Sequence, residues 1–455
     1  MTTNYKEALQ YLYGLTNYEI KSTFAYAPQY FDLKRVYRLL DALGNPHHRF
    51  RTVHVAGTKG KGSTCAMLAS ILQTAGYRTG LYTSPHLHTF RERIQVDGSY
   101  IPESAFADLV HEIRPHVEQD KELTTFEVAT AMAFAYFAQM GIEIGVVEVG
   151  LGGRLDATNV ILPLVSVITT IGHDHMHILG KTLAEIAAEK VGIIKEGIPV
   201  VTAPQHSAAL TILQSTCAEK GALLHEVSRE WQWRATGATL AGQTFTVAPR
   251  LNRGQSENTA PYRALHTPLL GKHQLRNAAV VLATVEALRQ DGLQIGDAAV
   301  RQGLSQVVWP ARFEVLGRKP FFVVDGAHNV DSARSLAQTL TQFFPTLRPW
   351  FVLAILSDKD IPAILKQLLP LARGAIFARS PHPRAADPWQ LLEAATPYPI
   401  PTQVVEHVDQ ATKRAIERAG EDGLVAAAGS FTTAGAAREA WLRMHNQPLP
   451  PLDPV

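Results

Sequence analysis

Apolar and polar positions alternate between helix-period stretches and short, nearly continuous apolar runs, the pattern of an α/β protein. Apolar residues at three- and four-residue spacing, among them Val36, Leu39, Leu40 and Leu43, predict helix from Tyr5 to about Asn45, ended by Gly44-Asn45-Pro46. A β-branched run beginning at Val53 predicts a strand that enters a glycine-rich turn; Thr64 to about Thr74 predicts the helix after it, stopped by Gly76. Thr79 to Thr83 predicts a second strand, so strand, helix and strand point to a right-handed crossover in a parallel sheet. The alanine-rich stretch Glu127 to Gln139 predicts a packed helix, and Ile144 to Gly150 a strand buried on both faces. Val165 to Thr170 and Ile198 to Thr202 predict further core strands. Between them Thr182 to Ile194 predicts a helix whose Glu185, Glu189 and Lys190, with Lys195 just beyond, read as a solvated charged face.

From about Leu223 to Thr267 the pattern shifts to short alternating pieces rich in Thr, Gly and Gln, which predicts a small antiparallel subsheet, with Arg253 to Asn258 as a mobile loop. Gly271 to Asn277 opens a long apolar helix running to about Leu288. The composition breaks at Val307-Val308-Trp309-Pro310. Strands and helices then alternate anew: Phe321 to Val324, Ser332 to Phe343, Trp350 to Ala354, Gly374 to Ala378 and Gly423 to Ala428. This predicts two units, residues 1–309 and a Rossmann-like α/β domain over residues 310–455.

Composition narrows the class. Of 455 residues 46% are hydrophobic and 18% charged, and 43 basic against 41 acidic residues leave a net charge of +2, so no polybasic field calls for nucleic acid or a membrane surface. Two cysteines, Cys65 and Cys217, make no disulfide framework or zinc module. The polar start, Met1 to Glu7, lacks the order of a secretory signal, and no apolar run of ~18 residues spans a bilayer. The expectation is a cytoplasmic protein.

The chemistry concentrates at the strand-to-helix turn Gly57-Thr58-Lys59-Gly60-Lys61-Gly62-Ser63-Thr64. Glycines let the backbone approach an anion, amides and a helix N-terminus face it, and Lys61 adds a full charge. The spacing departs from the usual phosphate loop, since two residues separate Gly57 from Gly60 and Gly62 is inserted before Ser63; a ligand-free turn of a doubly wound fold is the alternative. Ser84, after the second strand, reads either as a turn residue before Pro85 or as a metal or substrate contact. Glu148 is a carboxylate in an otherwise apolar strand, so it needs an ion pair or a metal, Mg²⁺ in a nucleotide-binding sheet. Gly150 to Asn159 predicts a loop over a ligand. His173, His175 and His177 could align on an extended segment as a zinc pattern or supply one contact beside Mg²⁺. Asp325 to Asn329 and Gly429-Ser430-Phe431 place polar groups at strand ends of the second unit.

Together these residues resemble the folylpolyglutamate synthases and dihydrofolate synthases, a branch of the Mur-type ATP-dependent amide ligases. The resemblance spans nearly the whole chain: the loop from Gly57 to Ser63, Thr83-Ser84-Pro85-His86, Glu148 to Asp156, Asp174-His175, Ala188 to Ile193, Trp309-Pro310-Ala311-Arg312-Phe313-Glu314 and Asp325 to Asn329. Three positions depart from the family's habit: Lys59, often Asn; Ala311, often Gly; and Val191, often Ala.

The resemblance implies a P-loop-containing parallel-sheet ATPase domain of the Mur central-domain type followed by a glutamate-ligase domain. Gly57 to Thr64 would bind ATP, with Lys61 on its phosphates, and Asn277, Arg312 and Asp325 would add contacts. Ser63, Ser84, Glu148, His175 and Lys190 would serve two Mg²⁺ ions, with Lys190 carbamylated so that it offers an anion rather than a repelling ammonium. Lys61, His175, Lys190 and His328 are the catalytic candidates. Thr124, Phe126 and Asp156 match a pterin site, and His328 and Ser430 the region of the incoming glutamate.

The implied reaction transfers the γ-phosphoryl of ATP to a substrate carboxylate and then forms an amide with L-glutamate, on reduced folates and on 7,8-dihydropteroate, in a monomer. Two alternatives are a Mur-type ligase acting on a cell-wall precursor and a non-catalytic nucleotide-binding protein. A zinc hydrolase built on the three histidines is a more distant one.

Overall fold

A computed structural model of the chain describes residues 4–19, 31–250 and 262–454, whose strands form three sheets. The first has eight strands: β1 (Arg51–Ala56), β2 (Thr79–Tyr82), β3 (Ile94–Val96), β4 (Ser99–Tyr100), β5 (Ile144–Glu148), β6 (Val165–Ile168), β7 (Val200–Thr202) and β8 (Leu224–Glu226), in the order β4-β3-β2-β5-β1-β6-β7-β8. Six of them run parallel, while β3 and β4 form an antiparallel edge. Every residue of β5 and β6 is buried, because helices cover both faces of the sheet. Val146 and Val167 face a core shared with the helices Lys61–Thr74, Lys272–Gln290 and Asp297–Gln306. Val147 faces the opposite core, built with Tyr5–Gly14, Glu103–Val117 and Thr125–Gln139.

The second sheet is antiparallel: β9 (Trp231–Thr239), β10 (Gly242–Pro249) and β11 (Tyr262–Thr267). The predicted antiparallel region therefore begins at Trp231, since Leu224–Glu226 pairs in parallel with β7. The expected loop Arg253 to Asn258 lies outside the described residues.

The third sheet contains β12 (Glu314–Arg318), β13 (Phe321–Val324), β14 (Trp350–Leu353), β15 (Gly374–Arg379), β16 (Thr402–His407) and β17 (Leu424–Ala428), in the order β12-β13-β17-β14-β15-β16. It is parallel except for its edge strand β12, and apolar cores lie on both sides.

Among the described residues, the single helix predicted from Tyr5 to Asn45 is two, Tyr5–Gly14 and Leu33–Ala42. Thr16 leaves the helical path to pair with Thr124, and its carbonyl accepts from Thr125 N at 3.0 Å. Asp32 then caps a new helix by accepting from Lys34 N at 2.9 Å.

Contacts away from the strand ends also tie the units together. His88 Nδ1 lies 3.0 Å from Glu439 Oε1, and the Asp453 carboxylate accepts from Thr89 Oγ1 at 2.6 Å and from Phe90 N at 2.9 Å. Among the described residues no helix is long and apolar enough to cross a membrane.

Candidate active site

The carboxyl ends of β1, β5 and β6 and those of β13, β14, β15 and β17 line one cleft, a cavity of about 940 Å³. Open α/β sheets bind ligands at that edge.

One wall is the turn after β1. The helix begins at Lys61, earlier than the sequence pattern places it. Gly60 has φ +90°, and a Cβ there would sit 2.6 Å from Asn277 Oδ1, so both backbone and space demand glycine. Gly62 answers a different need: a Cβ on it would lie 3.0 Å from the Trp309 ring of the connection between the units. The amides of Thr58 and Lys59 donate to Thr170 O at 2.9 and 3.1 Å, and Thr58 Oγ1 donates to Gly172 O at 3.1 Å. This half of the turn is thus fastened to the end of β6. The donors left to face an anion are the first-turn amides of the helix, which have no intrahelical acceptors. Ser63 is buried at the cleft, where its Oγ accepts from Gln274 Nε2 at 3.3 Å, and Gln274 Oε1 accepts from Asn277 Nδ2 at 3.0 Å. Thr64 departs from expectation: it is fully buried and does not line the cleft.

Glu148 ends β5 with its carboxylate 3.8 Å from Lys61 Nζ and 3.3 Å from the amide of Ser84. Burial raises its pKa and Lys61 opposes the rise. Neither contact is short, so the carboxylate keeps lone pairs for a cation. Ser84 reaches it through the backbone and also lines the cleft.

Lys190 is not on a solvated face: it is 5% exposed, and its Nζ donates to Gly57 O at 3.0 Å. Burial, reinforced by Lys61, lowers its pKa to about 7. His175 has φ +50° and starts the short helix Met176–Leu179, so the extended segment that a three-histidine zinc site requires does not form. His173 is exposed, and among the described residues no three His, Cys, Asp or Glu side chains gather as a metal cluster. Burial lowers the His175 pKa to about 3, which keeps the imidazole neutral and able to ligate a metal.

The opposite wall begins at Arg312, whose guanidinium stacks 4.3 Å over the Phe431 ring. Its neighbours Ala311 and Phe313 hold φ +55° and +49°, a left-handed backbone that costs about 1–2 kcal/mol per residue without glycine. Asp325 fixes this turn: its carboxylate accepts from Phe313 N and from Ala327 N, each at 2.8 Å. Burial raises its pKa to about 6 against the pull of Arg312. His328 Nδ1 lies 2.8 Å from Gly326 O; a carbonyl only accepts, so Nδ1 carries the hydrogen. Burial, with Lys59 next, lowers the His328 pKa, and the neutral ring then holds a lone pair on Nε2. Ser430 caps the helix Phe431–Met444, accepting from Thr433 N at 3.0 Å beside the hydroxyl of Ser380 at 3.1 Å.

Also lining the cleft, Phe126 packs against Gly150, and Thr124 caps the helix Thr125–Gln139 by accepting from Glu127 N at 3.2 Å. Asp156 is buried and accepts from Leu151 N at 2.8 Å and Thr158 Oγ1 at 2.5 Å, while His54 Nε2 lies 2.8 Å from that hydroxyl. A side-chain chain therefore runs from β1 to Asp156.

Sequence reasoning passed over Gln274, Lys359 and the Asp174 carboxylate, all of which line the cleft. Gln274 was findable, because it stands three residues before Asn277 on one helix face. Lys359 lies in the turn after β14 among acidic neighbours and carries no such signal.

Residues 55–285 match the Mur ligase middle domain, and residues 311–431 the Mur ligase glutamate ligase domain. The chain is 38% identical over 402 residues to the dihydrofolate synthase/folylpolyglutamate synthase of Bacillus subtilis, spanning 87% of this chain and 90% of that protein. The folylpolyglutamate synthase of Mycobacterium tuberculosis, solved in complex with ADP and AMPPCP, superposes with a TM-score of 0.82 at 35% identity, covering 90% of this chain and 95% of that one. Escherichia coli FolC in complex with DHPP and ADP superposes with a TM-score of 0.82 at 32% identity, covering 97% and 98%.

Proposed function

The chain belongs to the dihydrofolate synthase/folylpolyglutamate synthase family, and on that premise we propose how its cleft divides the work of an ATP-dependent glutamate ligase. The observation that carries the reading is the pair Lys61 and Glu148 beside the free first-turn amides, facing Arg312 and His328 across one cavity. A substrate carboxylate oxygen attacks the γ-phosphorus of ATP and ADP leaves; the glutamate nitrogen then attacks the acyl carbon, releasing phosphate and a proton. Carboxylate and polyphosphate repel each other, and Lys61 and Arg312 supply the charge that brings them into line. His328, with its Nε2 lone pair, takes the proton from the glutamate ammonium. Thr124, Phe126 and Asp156 hold the pterin of 7,8-dihydropteroate or of a reduced folate, and Ser430 and the first turn of its helix stand where glutamate enters. Asn277 and Asp325 frame the nucleotide, Asp325 by shaping the Arg312 turn.

The donor set fits Mg²⁺, which keeps waters and phosphate oxygens and asks few groups of the protein. Glu148, Ser63 and Ser84 would hold one ion, and His175 with a carbamylated Lys190 a second. Bound there, Mg²⁺ neutralises charge on the phosphate oxygens. Lys190 suits carbamylation because a pKa of about 7 leaves much of its amine neutral and able to add CO₂ with loss of a proton. The reading extends to units divided near Trp309-Pro310, residues 1–309 and 310–455, in a cytoplasmic monomer.

The test is incubation with ATP, L-glutamate and either 7,8-dihydropteroate or tetrahydrofolate. Sustained ADP release, beyond one equivalent per enzyme, should appear only when glutamate and a pterin substrate are both present, and Lys61→Ala should abolish it. Sustained ADP release without glutamate, or only with a uridine nucleotide, would overturn the reading.

A further inference from the structure

Asp174, in the turn after β6, is a meeting point of both walls. On Oδ2 it receives Lys59 Nζ from the phosphate loop at 2.9 Å and Asn329 Nδ2 from the turn after β13 at 2.6 Å, with His328 Nε2 at 3.8 Å. On Oδ1 it receives Lys359 Nζ from the turn after β14 at 3.4 Å and the amide of His175 at 3.0 Å. The side chains of Asp174 and Lys359 are 10% and 9% exposed, so these ions meet largely out of water. Lys359 is shared with Asp358, also at 3.4 Å, whereas Lys59 has Asp174; a buried ammonium without its counter-ion is strongly destabilising, and a carboxylate that receives one from each unit resists their separation.

We propose that Asp174 is a positioning residue: an ionic clasp that fastens the phosphate loop to the C-terminal sheet and sets His328 and Lys359 over the loop. Lys59 is the arm by which this chain makes the loop side of the clasp. An asparagine at this position, two side-chain atoms shorter, would not span to the carboxylate, so the tether depends on the lysine. The clasp also sets a competition, because an ammonium on Asp174 is withheld from the phosphates. Its effect on turnover rests on the ligase reading above; its effect on the closed arrangement does not.

The test compares Asp174→Asn, Lys59→Asn and the double variant, with Asn329→Ala approaching the clasp from the other unit. Four quantities are read: the radius of gyration without ligand by X-ray scattering, the ATP dissociation constant by direct titration, and glutamate KM and kcat. Asp174→Asn should widen the ligand-free particle, raise glutamate KM at least tenfold and lower kcat, while ATP binds as tightly as before or up to threefold tighter because Lys59 is released. Lys59→Asn should show a smaller widening, and the double variant should be no worse than Asp174→Asn alone. Asn329→Ala should also widen the particle, and it carries the test on its own should an Asp174 variant fold poorly. An unchanged radius for Asp174→Asn and Asn329→Ala overturns the clasp whether or not product forms. ATP and glutamate binding weakened equally, or additive losses in the double variant, overturn the positioning role. If no pterin substrate supports turnover, the ligase reading fails, while the scattering still decides the clasp.

Discussion

Glu148, buried, and Asp325, half-buried, are carboxylates at the carboxyl ends of strands, on facing walls of one cleft, each near a cation and each with a pKa raised by desolvation. They differ in what satisfies them. Asp325 accepts two backbone amides at 2.8 Å, both within its own unit, and so serves the chain that carries it. Glu148 has one long amide contact at 3.3 Å and an ammonium at 3.8 Å. A carboxylate that its own backbone saturates shapes a turn; one left short of donors in a cavity is kept for a ligand. That distinction, rather than charge, separates these two acidic residues.

The sharpest way to break the comparison is Glu148→Gln. Turnover should fall by about 10³-fold, the several kcal/mol expected of a lost metal-side charge, while the melting temperature holds or rises because a buried uncompensated carboxylate is gone. Activity within tenfold of the parent would remove the difference between the two carboxylates. Lys190→Met should follow at about 10²-fold. Its pH signature is separate: a folded pKa near 7 lies below the unfolded value of about 10.4, so Lys190 contributes stability that is complete above that value and lost as pH falls through 7. Urea unfolding from pH 6 to 10 should show stability rising with pH in the parent and less so in the variant. Asp325→Asn turns one acceptor into a donor facing a backbone N–H; it should cost about 1–3 kcal/mol of stability and only about tenfold in turnover, the reverse emphasis to Glu148. Ala311→Gly should relieve a left-handed backbone, adding about 1 kcal/mol to stability with activity within about twofold. Thermal melts alongside steady-state ADP release check both.

Glu148 was legible because an acid inside an apolar strand is conspicuous without any partner. The alternation of strands and helices, the phosphate-loop turn and the compositional break before Arg312 were legible for the same reason: each is a local pattern. Lys190 was legible only through the resemblance, not from its own pattern: its neighbours Glu185 and Glu189 make the helix look solvated, whereas the side chain is buried with its Nζ on Gly57 O. Asp174 stood beside His175 in plain view, yet the groups that give it meaning, Lys59, Asn329 and Lys359, come from three distant segments. The Tyr5 to Asn45 region misled because apolar spacing persists across a break whose cause, pairing of Thr16 with Thr124, is tertiary.

Gly62 gives the loop more than an unusual spacing. By leaving room for the Trp309 ring it presses an indole from the connection between the units onto the first turn of the helix that would receive phosphate. The tryptophan is thereby placed as a native optical probe at the joint: nucleotide binding at the loop should change its emission, a change that Trp309→Phe should remove from the signal of the six tryptophans.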